Sequence, residues 1–195
     1  MNKSIIRKIY KQKRLELTKK EMQEKSLKIS DNFIKNLLPK ITDFGNKKLA
    51  FYKSANNEAD PVFIIQHCQK LGNIISLPKI KTSSLVLDFK SYQIDDELVK
   101  NENYQNLLEP KNSEPNIVPD IIFVPLVAFD KNCHRIGMGG GFYDASIDHS
   151  RKNNPTQIFI GIGYDMQNCE GIKAEEWDQS LDFIISESKL VPYKQ

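Results

Sequence analysis

The run "DIIFVPLVAF" at residues 120–129 is the most apolar stretch of the chain, and it limits the possible folds more than any other feature. It is short, with Pro119 before it and Asp130 at its end. Runs of this kind are typical of strands buried on both faces, which occur in parallel sheets covered by helices on both sides. We therefore predict a central strand within a three-layer α/β/α fold.

The surrounding segments agree with this prediction. "KKLAFY" and "NIISLPKI" read as strands, and "DPVFIIQHCQKLG" between them reads as a helix that stops at Gly72. Strand, helix and strand in that order indicate a parallel crossover unit. "QIFIGIGY" and "LDFIISE" add strands, "SLVLDFKSYQ" alternates like an antiparallel strand near an edge, and the polar stretch 95–119 reads as a long surface connection. We expect a single α/β domain over residues 1–195 with a mainly parallel sheet.

A glycine-rich segment, "HRIGMGGGFYD" at residues 134–144, follows the buried strand and carries four glycines in five residues. Glycine is used where the chain needs positive φ or where the backbone approaches a ligand closely. The segment matches neither common phosphate-loop motif. Phe142 and Tyr143 stand where a Walker loop needs lysine and serine or threonine, and Phe142 takes the place of the third glycine of a dinucleotide fingerprint.

General physics still favours an anion site in this segment. Successive backbone N–H groups that enter a helix form a nest for anions, and loops beyond the carboxyl ends of parallel strands usually bind ligands. Arg135 adds a fork suited to phosphate oxygens, and the Asp144 carboxylate suits magnesium. The alternative is a tight turn whose glycines serve only close packing.

Composition excludes several classes of protein. With 39% hydrophobic and 27% charged residues the chain is typical of a soluble globular protein, and a net charge of +3 gives no whole-surface attraction to nucleic acid. The sequence contains no apolar run of membrane-spanning length and no signal peptide. We expect a cytoplasmic protein, a monomer, that uses neither nucleic acid nor a membrane as partner.

The N-terminus predicts a basic helix over about residues 3–17, with Lys3, Arg7 and Arg14 on its polar faces. Thr18 and Glu21 have the spacing of a capping box, which would start a second helix near Thr18. A basic helix at a chain terminus is usually a solvated face. Its contribution to a site therefore depends on what it packs against.

The segment "DIIFVPLVAFDKNCHRIGMGGGFYD" resembles the signature of the 5-formyltetrahydrofolate cyclo-ligases, also called 5,10-methenyltetrahydrofolate synthetases. The resemblance extends over nearly the whole chain, through "KSIIRKIYKQKRLELTKKE", "AFYKSANNEAD", "LLEPKNSE" and "EEWDQSLDFIISE". It implies a ligase of folate one-carbon metabolism that closes 5-formyltetrahydrofolate to 5,10-methenyltetrahydrofolate. ATP is the implied co-substrate and Mg²⁺ the implied metal, and ADP and phosphate are released through a phosphorylated formyl intermediate.

The same resemblance implies roles for individual residues. The catalytic residues are Arg135 and Lys3. The ATP-binding residues are Lys3, Arg7, Arg14, Arg135, Gly137, Gly139, Gly140, Gly141 and Tyr143. The folate-binding residues are Lys53, Glu58, Met138 and Phe142, and the magnesium ligands are Asp144 and Asp182.

Some positions depart from the family pattern or lie outside it. Phe142 replaces a tyrosine, so it can stack on a flat ring but cannot donate a hydrogen bond, and Ile136 replaces a leucine of similar volume. Lys53 is interpreted as a contact to the glutamate tail of folate. Trp177 and Asp178 are interpreted as structural.

Two other functions use the same features. One is a non-catalytic nucleotide- or RNA-binding protein, which would need exposed aromatic residues interleaved with basic ones on one face. The other is a relative of sugar-phosphate isomerases or acyltransferases with a similar layered architecture, in which Lys3 and Arg7 would have no role. Fold alone does not separate them.

Overall fold

The computed structural model describes residues 2–104, 107–111, 116–175 and 177–193. Within them the α-helices are α1 (Lys3–Leu15), α2 (Lys19–Asn32), α3 (Val62–Lys70) and α4 (Phe142–Asn153). The strands are β1 (Lys48–Ala50), β2 (Ile74–Lys79), β3 (Asp88–Ser91), β4 (Leu98–Lys100), β5 (Leu108–Pro110), β6 (Ile121–Pro125), β7 (Ala128–Phe129), β8 (Arg135–Ile136), β9 (Ile158–Ile162), β10 (Phe183–Ile185) and β11 (Leu190–Pro192).

Seven of the described strands form one sheet in the order β11-β10-β9-β6-β1-β2-β3. β10, β9, β6, β1 and β2 pair in parallel, whereas β11 and β3 close the two edges in antiparallel fashion. Numbered along the chain, the five parallel strands follow the order 2-1-3-4-5 across the sheet. In this doubly wound order the connections diverge between β1 and β6, and that switch point is where such sheets bind ligands.

Alternation along the strands buries both faces of the sheet. Ile121 and Phe123 of β6 join the core that the sheet shares with α2 and α3. Ile122 and Val124 point the other way, into the core shared with Ile147 of α4. The central apolar run therefore lies between helices on both sides, which confirms the predicted α/β/α layers and the buried central strand.

Helix α1 lies at the carboxyl edge of the sheet. Its one fully buried apolar residue among those described, Ile6, packs on Val127, Ala128 and Ile136. The predicted capping box is present: the Thr18 hydroxyl accepts from the Glu21 backbone, and the Glu21 carboxylate accepts from the Thr18 N–H at 2.8 Å. The capping box separates α1 from α2, so α1 packs against the loops after the central strand.

Two features differ from the expectation. The central apolar run is divided into β6 and the short strand β7, which pairs with β8 in a hairpin that leads to the glycine segment. The polar stretch 95–119 contains the hairpin β4–β5 and is not purely a connection, although residues 105–106 and 112–115 lie outside the described part. Both hairpins use strands of two or three residues, too short for a clear alternating pattern. No helix in the described ranges is long and apolar enough to cross a membrane.

Candidate active site

The glycine segment, residues 137–141, connects β8 to the first turn of α4. Gly139 has φ +106° and Gly141, the N-cap of α4, has φ +76°. These left-handed conformations strain any residue with a Cβ. No side chain caps the first turn of α4, so the helix N-terminus presents backbone donors beside the glycine segment.

Arg135 lies under this segment with its guanidinium held on two sides. Its Nη2 donates to Asp144 Oδ1 at 2.8 Å, and the guanidinium carbon lies 5.8 Å from the centre of the Tyr143 ring. The side chain is only 3% exposed. A Cβ on Gly137 would lie 2.6 Å from Arg135 Nη1, so glycine at this position leaves the space that the guanidinium fills.

Helix α1 brings two further cations to the same place. Arg7 Nε donates to the Gly137 carbonyl at 2.8 Å. The Lys3 ammonium donates to Glu175 Oε2 at 2.6 Å and to Asp178. Burial alone would lower the pKa of Lys3, but the hydrogen bonds and charges of Asp178 and Glu175 raise it above its ordinary value, so Lys3 stays a cation at neutral pH.

One pocket of about 710 Å³ collects these groups. It is lined by seven residues predicted for ATP, catalysis or metal, namely Lys3, Arg7, Arg135, Gly137, Gly139, Gly141 and Asp144. Gly140 lies within the same loop, where a Cβ would meet the Phe142 ring at 3.0 Å. Residues 130 or more positions apart in sequence thus meet around one cavity.

Arg14 lies elsewhere, at the switch point of the sheet. It is 1% exposed, and its Nη2 donates to the Asn56 carbonyl at 3.0 Å while its Nη1 lies 3.4 Å from the Leu126 carbonyl and 3.8 Å from Glu58 Oε1. It therefore ties the loop after β1 to the loop after β6. The structure does not place Arg14 on the pocket with Lys3.

Glu58, predicted for folate, is 10% exposed on the loop after β1. Burial raises the pKa of its carboxyl, against the opposing charge of Arg14 and a hydrogen bond from the Ala55 N–H. Burial raises the pKa of the Tyr143 phenol, and the charge of Glu58 raises it further. Glu58 lines a separate cavity of about 400 Å³ and not the one that holds the glycine segment.

The other predicted folate contacts lie on or near the glycine segment, except Lys53. Phe142 lines a second cavity of about 580 Å³, where its ring meets Tyr104 edge to face at 5.5 Å. Met138 and Lys53 are exposed, and Lys53 makes no ion pair within the described residues. The structure brings Phe142 and Met138 to the loop and leaves Lys53 on the loop after β1.

The two predicted magnesium ligands are not brought together. Asp182 precedes β10, where it pairs with Arg151 at 2.8 Å and accepts from the Phe159 N–H at 2.7 Å. Arg151 lies seven residues beyond Asp144 on α4, roughly 10 Å along the helix. Asp148, one turn after Asp144, lines the glycine pocket instead.

The residues that line the pocket but were not predicted for it include Asp148, Glu175, Trp177, Asp178 and Gln179. Lys3, which binds Glu175 and Asp178, is more than 170 positions away from them. No local pattern indicates a contact over that separation.

Among the described residues no cluster of three or more histidine, cysteine or acidic side chains is arranged to hold a metal. Asp144 with Asp148 still fits magnesium, because that ion is commonly held by one or two carboxylates together with phosphate oxygens and water. Both aspartates line the cavity that contains the glycine segment.

The doubly wound sheet, with the glycine segment and the cations Lys3, Arg7 and Arg135 around one cavity, defines an α/β protein with a candidate anion-binding site. A family model described as the 5-formyltetrahydrofolate cyclo-ligase family matches residues 1–187. The chain belongs to this family, which confirms the resemblance noted from the sequence and decides against the two alternatives considered there.

Individual relatives agree with the family model. The chain is 34% identical to a 5-formyltetrahydrofolate cyclo-ligase of Haemophilus influenzae over 69% of this chain and 73% of that protein. It is 33% identical to the corresponding Mycoplasma genitalium protein over 95% and 98%. The solved 5,10-methenyltetrahydrofolate synthetase of Aquifex aeolicus superposes with a TM-score of 0.79 at 25% identity, over 100% of this chain and 94% of that one. The solved 5,10-methenyltetrahydrofolate synthetase of Mycoplasma pneumoniae is 24% identical and superposes with a TM-score of 0.74, over 96% of this chain and 100% of that one. At this identity it supports the fold alone.

Gly137→Ala tests whether the loop positions Arg135. The added methyl group would displace the guanidinium, which burial and Asp144 prevent from moving freely, so we expect kcat/KM for ATP to fall by on the order of a hundred-fold. Gly45→Ala is the matched control, because nothing lies within 4 Å of its Cβ position. Equal ATP kinetics in the two folded variants would show that Gly137 is only part of a turn.

Proposed function

We propose that this protein catalyses the ATP-dependent cyclisation of 5-formyltetrahydrofolate to 5,10-methenyltetrahydrofolate, with release of ADP and phosphate. The observation that carries the proposal is the shared pocket, in which Lys3, Arg7 and Arg135 surround the glycine segment. The family match supports the folate substrate. The whole chain would then act as one cyclo-ligase domain whose N-terminal helix completes the ATP site.

The formyl group is an amide, and its oxygen is a poor leaving group. In the proposed first step that oxygen attacks the γ-phosphorus of ATP, the bond from this phosphorus to the bridging oxygen breaks, and ADP leaves. N10 then attacks the activated formyl carbon and loses its proton to water, and phosphate departs with the former formyl oxygen. The ring is closed without a covalent bond to the protein.

The side chains would act by position and charge. Phosphoryl transfer is accelerated mainly by holding the reactants in line and by neutralising the oxygens of the transferred group. The Arg135 fork and the Lys3 ammonium supply fixed positive charge there, and the backbone amides of residues 139–141 supply donors. Arg7 would hold α1 on the loop through the Gly137 carbonyl as well as contact phosphate.

Magnesium would be held by Asp144, with Asp148 as the second carboxylate and phosphate oxygens completing its shell. When bound, this ion neutralises phosphate charge. Asp182 remains a ligand predicted from the resemblance alone, because it lies beside Arg151 and the Phe159 N–H and does not line the pocket of the glycine segment.

The folate would lie on the opposite side of the glycine segment from ATP. The Glu58 carboxylate can accept hydrogen bonds from pterin N–H groups, and the Phe142 ring offers a stacking surface in the second cavity. Phe142 directly follows the glycine segment, so a folate stacked on its ring would hold the formyl oxygen near the γ-phosphate. Lys53 and Met138 remain predicted folate contacts, and a monomeric, cytoplasmic protein remains a prediction.

The test is to mix the protein with 5-formyltetrahydrofolate and follow the near-ultraviolet absorption of the methenyl product. We expect product only when ATP and a divalent metal are both present, and a chelator should stop turnover until magnesium is restored. Turnover without ATP would refute the proposal, and full turnover after chelation would remove the metal from it.

A further inference from the structure

Trp177 is a large aromatic side chain left open to solvent beside the glycine segment. Its indole is 67% exposed, yet it lines the same pocket of about 710 Å³ as Arg135 and Lys3. Large aromatic side chains are usually buried for most of their surface. An exposed indole within a polar pocket therefore offers a surface on which a flat ligand can stack.

The turn that carries Trp177 is fixed to α1. The Asp178 N–H donates to the Glu175 carbonyl at 2.9 Å, and the Glu175 N–H donates to Asp178 Oδ2 at 2.7 Å. Both acidic side chains also bind the Lys3 ammonium. The indole therefore sits on a turn that is tied to the same helix that brings cations to the loop.

The pocket is lined by two chemically different groups of residues. The glycine segment with Arg7 and Arg135 suits a polyphosphate. Trp177 and Gln179 line the same pocket, and Gln179 makes no side-chain hydrogen bond within the described residues. A glutamine amide offers one donor and one acceptor edge, the pair that an adenine base matches.

We infer that Trp177 is the base-stacking residue of the nucleotide site, with its indole against the adenine of ATP and with Gln179 facing the edge of that base. This inference rests on the proposed ATP-dependent function. Trp177, interpreted from the sequence as structural, then contacts substrate. Asp178 and Glu175 then position the Trp177 side chain. Base stacking on an aromatic side chain is sequence-tolerant and strong enough to dominate the binding of a base.

The chain provides its own probe, because Trp177 is its only tryptophan. Selective excitation of indole therefore reports this one side chain. We expect magnesium-ATP to quench the emission in a saturable titration, since a stacked purine contacts the indole face. Magnesium-tripolyphosphate should compete with ATP for the glycine segment and its cations and leave the emission unchanged. Saturable ATP binding, measured by calorimetry, with no change in indole emission would overturn the inference.

Kinetics give a second readout. Trp177→Ala should raise KM for ATP by about 5- to 100-fold with little change in kcat or in KM for folate, and Trp177→Phe should recover most of the loss. Tyr193→Ala is the matched control, an exposed aromatic that does not line the pocket. An unchanged KM for ATP in Trp177→Ala would overturn the stacking role while leaving the proposed activity intact. If the wild-type protein formed no methenyl product, the activity itself would fail, and the emission titration would still decide whether ATP stacks on Trp177.

Discussion

Replacing Arg135 with alanine is expected to lower kcat by about a thousand-fold, because one arginine that neutralises a transferring phosphoryl group is worth at least that much. The side chain is buried beneath the glycine segment and held by Asp144 at 2.8 Å. Its charge is therefore preorganised and costs no reorientation during the reaction. Steady-state production of the methenyl product, with ATP and folate both saturating, measures the loss.

Two further variants test whether the loss of activity depends on the guanidinium fork of Arg135 and on its position. Arg135→Lys keeps the charge but loses the planar fork, so it should recover only part of the activity. Arg151→Ala removes an arginine from the other end of α4, where the ion pair with Asp182 has the same 2.8 Å distance, and activity should stay near that of wild type. A loss of less than ten-fold in folded Arg135→Ala would contradict the role of Arg135 in phosphoryl transfer.

The second large effect is expected at the N-terminus. Replacing Lys3 and Arg7 together with alanine should reduce turnover by roughly a thousand-fold, since charge stabilisation of phosphoryl transfer by one cation can reach that size. Each single substitution should raise the requirement for ATP more than that for folate, because Glu58 is unchanged. The full-length double variant is a cleaner test than deletion of residues 1–7, which would also remove Ile6 from the core.

Lys8→Ala with Lys13→Ala is the matched control for the N-terminal experiment. It removes the same charge from the same helix, but both side chains are exposed and neither lines the glycine pocket. ATP kinetics and thermal unfolding should be measured on both double variants. Equal, small effects in the two proteins would return α1 to the status of a solvated basic face.

The sequence predicts those features that depend on residues close together in the chain. The glycine segment follows the buried strand closely in sequence, so their order alone predicts a loop at the carboxyl edge of a parallel sheet. The capping box of Thr18 and Glu21 is also contained within four residues, and the structure shows both of its hydrogen bonds. The short hairpin β7–β8 was missed because two-residue strands have no measurable alternation.

Local sequence patterns do not predict contacts between residues far apart in the chain. Arg14 occurs at regular spacing with Lys3 and Arg7 on a basic helix, yet it is buried at the switch point against backbone carbonyls. Arg14 is buried because α1 covers the loops after β1 and β6. Both loops lie more than forty residues away from Arg14 in sequence. The turn that carries Trp177 was missed for the same reason, since its partner Lys3 lies at the opposite end of the chain.

Asp182 and Asp148 illustrate a similar limit. The resemblance implies a metal ligand at Asp182, and this role stays a prediction. In the structure Asp148 lines the pocket together with Asp144, and Asp182 forms an ion pair with Arg151. The spacing of Asp144 and Asp148 puts both on one face of a helix. This signal was present in the sequence, but it becomes informative only once that face is known to line a pocket.

The central claim is that the formyl oxygen is phosphorylated by ATP before the ring closes. The most direct measurement uses 5-formyltetrahydrofolate labelled with oxygen-18 in the formyl group and follows the label by mass spectrometry of the released phosphate. We expect one labelled oxygen in each phosphate formed, in step with methenyl product. Label found in water, with unlabelled phosphate, would contradict it.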